Sequence, residues 1–200
     1  MIKVNTMSEQ QSTQQSPLSA EVIFEMFRQT DLKMQETDRQ LKEVARVAKE
    51  TEKKISELGS RIGEIIEHMV AGNIVAKFRA FGYQVTDCSR NKEFQNEELG
   101  ISGEIDLLLE DGDVVILIEV KTTLVVSDVR NHIERLEKYR RHINAKGING
   151  KRRFIGAVAG AVLRDDAVKF AQKNGMYVIV QSGEAVRIIP PPEGFVAKEW

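Results

Sequence analysis

The chain has 200 residues, of which 42% are apolar and 30% charged, enough for one compact domain with an extension. Its single cysteine excludes an internal disulfide, and one cysteine with three scattered histidines argues against a structural zinc cluster. No apolar run approaches the roughly 20 residues of a membrane span, and no signal-peptide pattern opens the chain. The sequence therefore predicts a soluble, cytoplasmic protein.

The net charge of −1 conceals an uneven distribution along the chain. Residues 61–127 hold six Lys/Arg against twelve Asp/Glu, whereas residues 128–200 hold fourteen against eight. The middle of the chain is therefore acidic and its C-terminal third is basic. This is the charge distribution that a metal site next to a phosphate-binding surface would need. Charged residues on an ordinary solvated surface can produce the same asymmetry, so the charge distribution alone does not establish a metal site or a phosphate-binding surface.

Two different patterns occupy the first sixty residues. Residues 1–19 are rich in Gln and Ser, with little to bury, and we predict a disordered tail. Residues 20–60 follow a proline-free heptad pattern, which predicts a coiled-coil helix. The a positions are Ala20, Phe27, Met34, Leu41, Ala48 and Ile55, and the d positions are Ile23, Thr30, Thr37, Val44, Thr51 and Leu58.

The heptad pattern also bears on the oligomeric state. In a parallel dimer Lys33, at a g position, would face Asp38 at the following e position of the partner. We therefore expect a homodimer or higher oligomer through the coiled coil. The alternative is a single amphipathic helix that folds onto its own domain.

From residue 61 to residue 190 helical and strand periods alternate. Residues 87–102 are polar and irregular, and we predict a loop there. The predicted elements are a helix Ile62–Ala80, a short strand beginning at Tyr83–Thr86, strands Glu104–Leu109 and Val114–Thr122, a helix Val129–Ile143, a strand within Phe154–Leu163, a helix Asp165–Lys173, and strands Tyr177–Gln181 and Ala185–Ile189. This order predicts an α/β domain with one mixed β-sheet flanked by helices, followed by a C-terminal tail over residues 191–200.

The second and third predicted strands form a hairpin that carries charge in an apolar setting. Period-two geometry puts Glu104 and Asp106 on one face of the first strand, and Glu119 and Lys121 on one face of the second. Burying Glu119 there is costly without a compensating cation. A salt bridge to Lys121 is one explanation, but three carboxylates outnumber one lysine. A divalent metal accounts for the surplus, since Mg²⁺ takes one or two carboxylates together with water and phosphate.

The arrangement of Asp106, a hairpin, and Glu119-Val120-Lys121 resembles the D…E-x-K signature of PD-(D/E)xK nucleases. Its flanks are similar to YraN-type predicted endonucleases and archaeal Holliday-junction resolvases, although the family's proline before the aspartate is absent. The resemblance covers about residues 60–185 and implies a restriction-endonuclease-like fold. It also implies that Asp106, Glu119 and the Val120 carbonyl bind Mg²⁺ or Mn²⁺, and that Lys121 positions the attacking water.

Two further acidic positions follow from the resemblance. Many members of the family carry a glutamate on the first helix in a Gly-x-x-x-Glu context. Glu67 fits this pattern as a catalytic residue, with Glu64 as its substitute, whereas the alternative is a solvated helix glutamate. Glu104 is a candidate to support the metal ligands from outside.

A basic segment follows the predicted catalytic strand. Between residues 130 and 153 nine Lys/Arg stand against two Glu, and such side chains could grip phosphates. A solvated basic helix face explains them as well. The candidate nucleic-acid-binding residues are Arg130, Arg135, Lys138, Arg140, Arg141, Lys151, Arg152 and Arg153. His68, His132 and His142 lack metal-ligand spacing, which indicates surface or helix-packing roles.

These features together predict a metal-dependent nuclease that hydrolyses phosphodiester bonds through a metal-activated water, in DNA first and with RNA as the alternative substrate. One alternative is a non-catalytic nucleic-acid-binding module. The other is an adaptor whose functional part is the coiled coil. No base-reading motif is present, so no sequence preference is predicted.

Overall fold

The structure is a computed structural model that describes residues 19–147, 152–183 and 185–200. The chain divides into two compact units, Met1–Ile55 and Ser56–Trp200. The predicted disordered tail lies outside the described residues except for Ser19. In the described part of the chain, no helix combines the length and the apolar character that crossing a bilayer needs.

The first helix, α1 (Ala20–Ala80), is continuous and belongs in part to each unit. Within the first unit every described residue is exposed. Gly59 and Gly63 lie inside the helix and do not interrupt it, although glycine lowers helix stability. The structure therefore establishes a long helix, while its pairing as a coiled coil stays a prediction.

The second unit confirms the predicted α/β class and the order of helices and strands, but the first strand was misplaced: Tyr83–Thr86, where it was predicted to begin, is not in a strand, and the strand starts at Asp87. After α1 come three strands, a helix, a strand, a helix and two strands, as the alternating periods indicated. Their bounds are β1 (Asp87–Asn96), β2 (Ile101–Asp111), β3 (Val114–Leu124), α2 (Val126–Ala145), β4 (Arg153–Leu163), α3 (Asp165–Lys173), β5 (Tyr177–Ser182) and β6 (Ala185–Ile188).

The six strands form one mixed sheet whose spatial order, β1-β2-β3-β4-β5-β6, follows the chain. The pairs β1–β2, β2–β3 and β5–β6 are antiparallel, whereas β4 runs parallel to both β3 and β5. Parallel neighbours need a crossover connection, and α2 and α3 supply the two crossovers. The residues from Val114 to Val120 in β3 are all buried, which explains why this strand reads as a nearly continuous apolar run.

Helices cover both faces of the sheet. On one face the C-terminal part of α1 packs through residues that recur at helical spacing. These residues are Ile66, Val70, Ile74 and Phe78. On the other face α2 and α3 bury a second apolar cluster. Its α2 members are Val129, Leu136, Tyr139 and Ile143. The sheet is therefore covered on two sides, and functional side chains must emerge at strand ends or between helices.

The prediction of a loop over residues 87–102 is wrong, because β1 occupies most of that segment. β1 lies at the edge of the sheet and pairs only with β2 along its length. Phe94 is its single buried residue, and most of the others are exposed. An edge strand contacts one neighbour and tolerates polar side chains, so hydrophobic periodicity could not reveal it.

The last ten residues, predicted as a tail, return to the sheet. The Trp200 amide donates to the Phe154 carbonyl at 2.9 Å, and Glu199 forms an isolated bridge with Ile155. The Lys198 amide likewise donates to the Gly175 carbonyl at 3.0 Å. These contacts place the chain end beside β4.

Candidate active site

The hairpin of β2 and β3 is paired along the half that is nearest its turn. The register joins Leu107–Asp111 to Val114–Ile118. Beyond that point β2 remains paired with β1, and β3 remains paired with β4. The two strands therefore part where Asp106 and Glu119 stand. A gap between strands at this position gives polar side chains a route out of the apolar sheet.

The carboxylate of Asp106 is hydrogen-bonded to the neighbouring strand β3. The backbone amide of Val120 donates to Asp106 Oδ2 at 2.7 Å. Asp106 is half-buried, so this hydrogen bond forms partly away from solvent. The contact fixes Asp106 beside the segment that holds Glu119 and Lys121, as the sequence predicted for the two strands.

Glu119 is buried and compensated by two cations. Its side chain is 2% exposed, and Lys121 Nζ lies 2.6 Å from Oε1. Arg135 Nη1, from α2, donates to Oε2. Lys121 is 39% exposed, so its ammonium contacts both the buried carboxylate and solvent. A buried carboxylate is tolerated when it is paired and hydrogen-bonded, and here both oxygens have partners.

His132 completes the surroundings of Glu119 and was not predicted as a site residue. Its ring is fully buried, with Nε2 hydrogen-bonded to the Leu117 carbonyl at 3.1 Å and Nδ1 lying 3.8 Å from Glu119 Oε2. Because a carbonyl only accepts, Nε2 carries the proton in the neutral ring. The pKa of His132 is lowered to about 4, mainly by burial; the hydrogen bond to the Leu117 carbonyl opposes this shift, and the charge of Lys121 adds to it.

The burial of His132 could have been recognised from the sequence. It lies three residues after Val129 and four before Leu136, both of which are buried on the same face of α2. Arg135 was predicted to contact nucleic acid, but the structure turns it towards Glu119. No spacing rule reveals that contact, because it depends on how α2 docks on the sheet.

Glu67 on α1 lies within electrostatic reach of this cluster. It is half-buried, and burial raises its pKa, with the negative charges of Asp106 and Glu104 adding to the rise and Lys121 opposing it. Glu64, exposed one turn earlier, also adds to the rise. The two predicted helix glutamates therefore share the acidic environment that surrounds Asp106.

A strained residue on β1 faces the same cluster. Asn91 has a φ of +49°, in the left-handed region, and lies between the registered pairs Arg90–Leu107 and Lys92–Ile105. This position is opposite Asp106 on β2. Asparagine tolerates the left-handed region better than most residues, and strained positions tend to cluster at functional sites. No sequence pattern indicated this residue, because β1 itself was not recognised.

Three of the predicted basic residues make contacts within the fold: Arg140, which lies on α2, and Arg152 and Arg153, which follow it. Arg140 donates to the Arg152 carbonyl at 2.6 Å, and its guanidinium lies 5.1 Å from the Phe154 ring centroid. Arg152 pairs with Glu110 at 3.1 Å, and Arg153 pairs with Glu199 at 3.1 Å. Their charges are thus partly neutralised within the fold.

The remaining basic candidates divide into exposed and undescribed positions. Arg130 is exposed and its guanidinium lies 5.2 Å from the Phe170 ring centroid. Lys138 and Arg141 are exposed on α2. Lys151 lies outside the described residues. The exposed members are the side chains available to a phosphate backbone.

The side chains at the parted strands include oxygen donors of the type that hard divalent cations bind. Among the described residues, no three His, Cys, Asp or Glu side chains form a group that could hold a metal by themselves. Mg²⁺, however, commonly takes one or two carboxylates and fills its shell with water and substrate phosphate. Asp106, which accepts the Val120 amide, and Glu119, the residue before Val120, are two carboxylates of the kind that Mg²⁺ or Mn²⁺ takes. Both Glu119 oxygens are paired with Lys121 and Arg135 in this structure, so Glu119 would exchange one of these partners for the metal.

No family model and no curated protein matches the sequence. A repair endonuclease from Pyrococcus abyssi is 18% identical, with a TM-score of 0.38 over 63% of this chain and 47% of that one. A protein of unknown function is 17% identical, with a TM-score of 0.39 over 62% and 58%. The EndoMS-dsDNA2 complex is 17% identical, with a TM-score of 0.32 over 59% and 45%. The chain spans about half the length of these structures, and similarity at this level assigns it to none of their families.

Proposed function

We propose that the second unit is a metal-dependent nuclease of the PD-(D/E)xK type, with a restriction-endonuclease-like fold, that hydrolyses phosphodiester bonds in DNA. The observation that carries the proposal is the convergence of Asp106, Glu119 and Lys121 where β2 and β3 part. Asp106 Oδ2 accepts the Val120 amide at 2.7 Å, and Lys121 Nζ lies 2.6 Å from Glu119. Packing of the sheet alone does not require two carboxylates and a lysine at this point.

Each residue has a role that follows from its position. Asp106 and Glu119, with the Val120 carbonyl, would hold Mg²⁺ or Mn²⁺. A metal held there would lower the pKa of a bound water and offset the charge that develops on the phosphate. Lys121 reaches solvent, so its ammonium can hydrogen-bond the attacking water or a phosphate oxygen.

Glu67 supplies a carboxyl group with altered acidity. Its raised pKa means that it exchanges a proton closer to neutral pH than an ordinary glutamate does. We assign it the role of receiving or returning a proton beside Asp106, with Glu64 as the substitute and Glu104 supporting from β2.

We assign the binding of backbone phosphates to the exposed basic residues of α2. Arg130, Lys138 and Arg141 are exposed, and each would replace a counterion on the DNA backbone. Such contacts position a duplex without reading its sequence. We therefore expect salt-sensitive binding and no strong sequence preference.

We also propose that residues 20–60 of α1 join two copies as a coiled-coil homodimer. The heptad pattern supports this, since it places apolar residues on one stripe of a helix whose side chains are exposed throughout the first unit. A dimer would carry two candidate sites in one particle. Its cellular location is expected to be cytoplasmic, as the sequence predicted.

The test is cleavage of supercoiled, linear, single-stranded and branched DNA, with RNA in parallel, in Mg²⁺, Mn²⁺ or EDTA. Asp106→Asn and Lys121→Met should each lower the rate by about 100-fold or more, because each removes a charge that acts at the reacting phosphate. Asp113→Asn is the matched control, since this exposed turn aspartate lies at the opposite end of β3.

Two outcomes would overturn the proposal in different ways. DNA binding without cleavage in any metal would favour the non-catalytic binding module. Absence of cleavage, of DNA binding and of metal binding by calorimetry would favour the adaptor. Equal rates for Asp106→Asn and Asp113→Asn would show that any cleavage arises elsewhere.

A further inference from the structure

The first unit exposes a continuous apolar stripe along α1. Phe27 is 72% exposed, Leu41 61%, Val44 64% and Ile55 65%, and all four lie at a or d positions of the heptad. Apolar side chains at this spacing form one seam on a helix. A seam of this length, from Ala20 to Ile55, extends about 50 Å and needs a partner of equal length.

The polar residues of the seam have hydroxyl groups that are already hydrogen-bonded within the helix. Three d positions are threonines, whose hydroxyl groups would be costly to bury without partners. Each hydroxyl donates to the backbone carbonyl four residues earlier: Thr30 to Met26 at 2.7 Å, Thr37 to Lys33 at 2.8 Å, and Thr51 to Val47 at 2.8 Å. With the hydroxyl satisfied inside the helix, each threonine can present its methyl group to a partner.

The ion pairs within the helix avoid the seam. Arg28 pairs with Glu25 at 3.2 Å, and Arg46 pairs with Glu43 and Glu50 at 2.6 Å each. In the heptad these residues occupy b, c and f, the positions farthest from a and d. The helix therefore has one polar outer side and one apolar side.

The charges that flank the seam discriminate between partner orientations. The charged e positions are all acidic, namely Asp31, Asp38 and Glu52, and the charged g positions are both basic, namely Lys33 and Lys54. An antiparallel pair places e against e and g against g, so like charges would face each other. A parallel pair places g against the partner's e, so unlike charges face each other.

We infer that the first unit pairs with a second copy of this chain as a parallel, in-register coiled coil, in which Lys33 faces Asp38 of the partner subunit. This inference refines the homodimer proposed above and is independent of nuclease activity. The parallel arrangement brings the two Ile55 residues together, so both second units would begin at adjacent points.

Disulfide trapping in the full-length chain tests the orientation, with Cys88 replaced by serine in every variant. Ile23→Cys and Thr51→Cys place thiols at d positions that are about 40 Å apart along one helix. In a parallel, in-register pair each variant should cross-link to itself on mild oxidation. Arg39→Cys, at an outer f position, is the matched control and should not cross-link.

A mixture of the Ile23→Cys and Thr51→Cys proteins tests the antiparallel alternative. If cross-links form only between the two variants and not within either one, the pair is antiparallel and the inference is wrong. If no variant cross-links and light scattering gives a monomer, the homodimer itself fails, whatever the nuclease assay shows. A tetramer by light scattering would also overturn the two-stranded arrangement.

Charge exchange gives an independent measurement by sedimentation. Lys33→Glu and Asp38→Lys should each weaken association by roughly tenfold, because each variant creates two like-charged contacts per dimer. The double exchange Lys33→Glu/Asp38→Lys should restore association. Stronger association of Asp38→Lys alone would contradict the parallel arrangement, since only an antiparallel pair relieves acidic repulsion in that way.

Discussion

The two units of this chain gain their stability in different ways. In the first, every described residue is exposed, including apolar residues such as Phe27 and Leu41. In the second, comparable residues such as Phe78 and Ile116 are completely buried within the same chain. An isolated helix obtains little stability from its backbone alone, whereas a layered sheet supplies its own core. Apolar periodicity thus marks an exposed stripe in one unit and an internal core in the other.

The largest expected effect is on the free energy of unfolding of the second unit, and it differs between two phenylalanines of α1, Phe78 and Phe27. Phe78 is fully buried and packs edge-on against Tyr83 and Tyr177, so Phe78→Ala should destabilise the second unit by about 3–5 kcal/mol. Phe27→Ala should leave that unit unchanged and weaken association instead. Chemical denaturation at two protein concentrations separates these effects. A similar loss of the second unit's stability in both variants would show that Phe27 also contributes to the core of the second unit.

A second prediction concerns the pH dependence of the second unit. The folded pKa of His132 is about 4, below the ordinary value, so the unfolded chain binds more protons between the two values. Stability is therefore fully present above a pH of about 6.5 and declines as the pH falls towards 4, by a total of about 3 kcal/mol. Denaturation across this range should show a shallower decline in His132→Gln. Parallel pH profiles of the two proteins would contradict the assigned burial.

The ion pair between Arg135 and Glu119 should stabilise the second unit by less than the burial of Phe78 does. Arg135→Gln removes one cation from a carboxylate that is 2% exposed, while Lys121 remains, and we expect a loss of about 1–3 kcal/mol. Lys138→Gln, an exposed substitution on the same helix, should change stability by no more than about 0.5 kcal/mol. Thermal unfolding of both variants measures the difference, and equal values would refute a stabilising role for Arg135.

The smallest expected effect is on the salt dependence of DNA binding. If Arg141 contacts a phosphate, Arg141→Gln should reduce the slope of log affinity against log salt by about one. Lys42→Gln, an exposed substitution in the first unit, should leave the slope unchanged. Fluorescence anisotropy in EDTA avoids interference from cleavage. An equal reduction in both variants would place the DNA contacts in both units.

The central strands were predictable because their environment is simple. β3 is buried on both faces and reads as an apolar run, so the charges of Glu119 and Lys121 stood out within it. Period-two geometry then placed these two side chains on one face, and the structure brings them to 2.6 Å. Local geometry alone was sufficient for this part of the site.

The other parts of the site depend on contacts between distant segments. Arg135 reaches Glu119 only after the crossover docks α2 on the sheet, and a basic helix position does not reveal its orientation. Asn91 lies on an edge strand that lacks an apolar pattern. The positions that could not be predicted are those whose partners are chosen by tertiary packing rather than by the period of one element.

The tight turn between β2 and β3 has a consequence for the folding of this unit. Asp111 pairs with Val114, so the hairpin closes over two residues, with Gly112 at a φ of +56°. Short loops cost the least entropy to close, and hairpins form within about 1–10 µs. Asp106 and Glu119 lie on these two strands, so we expect their carboxylates to approach one another early in folding. We expect the guanidinium of Arg135 to reach Glu119 later, when α2 docks on the sheet.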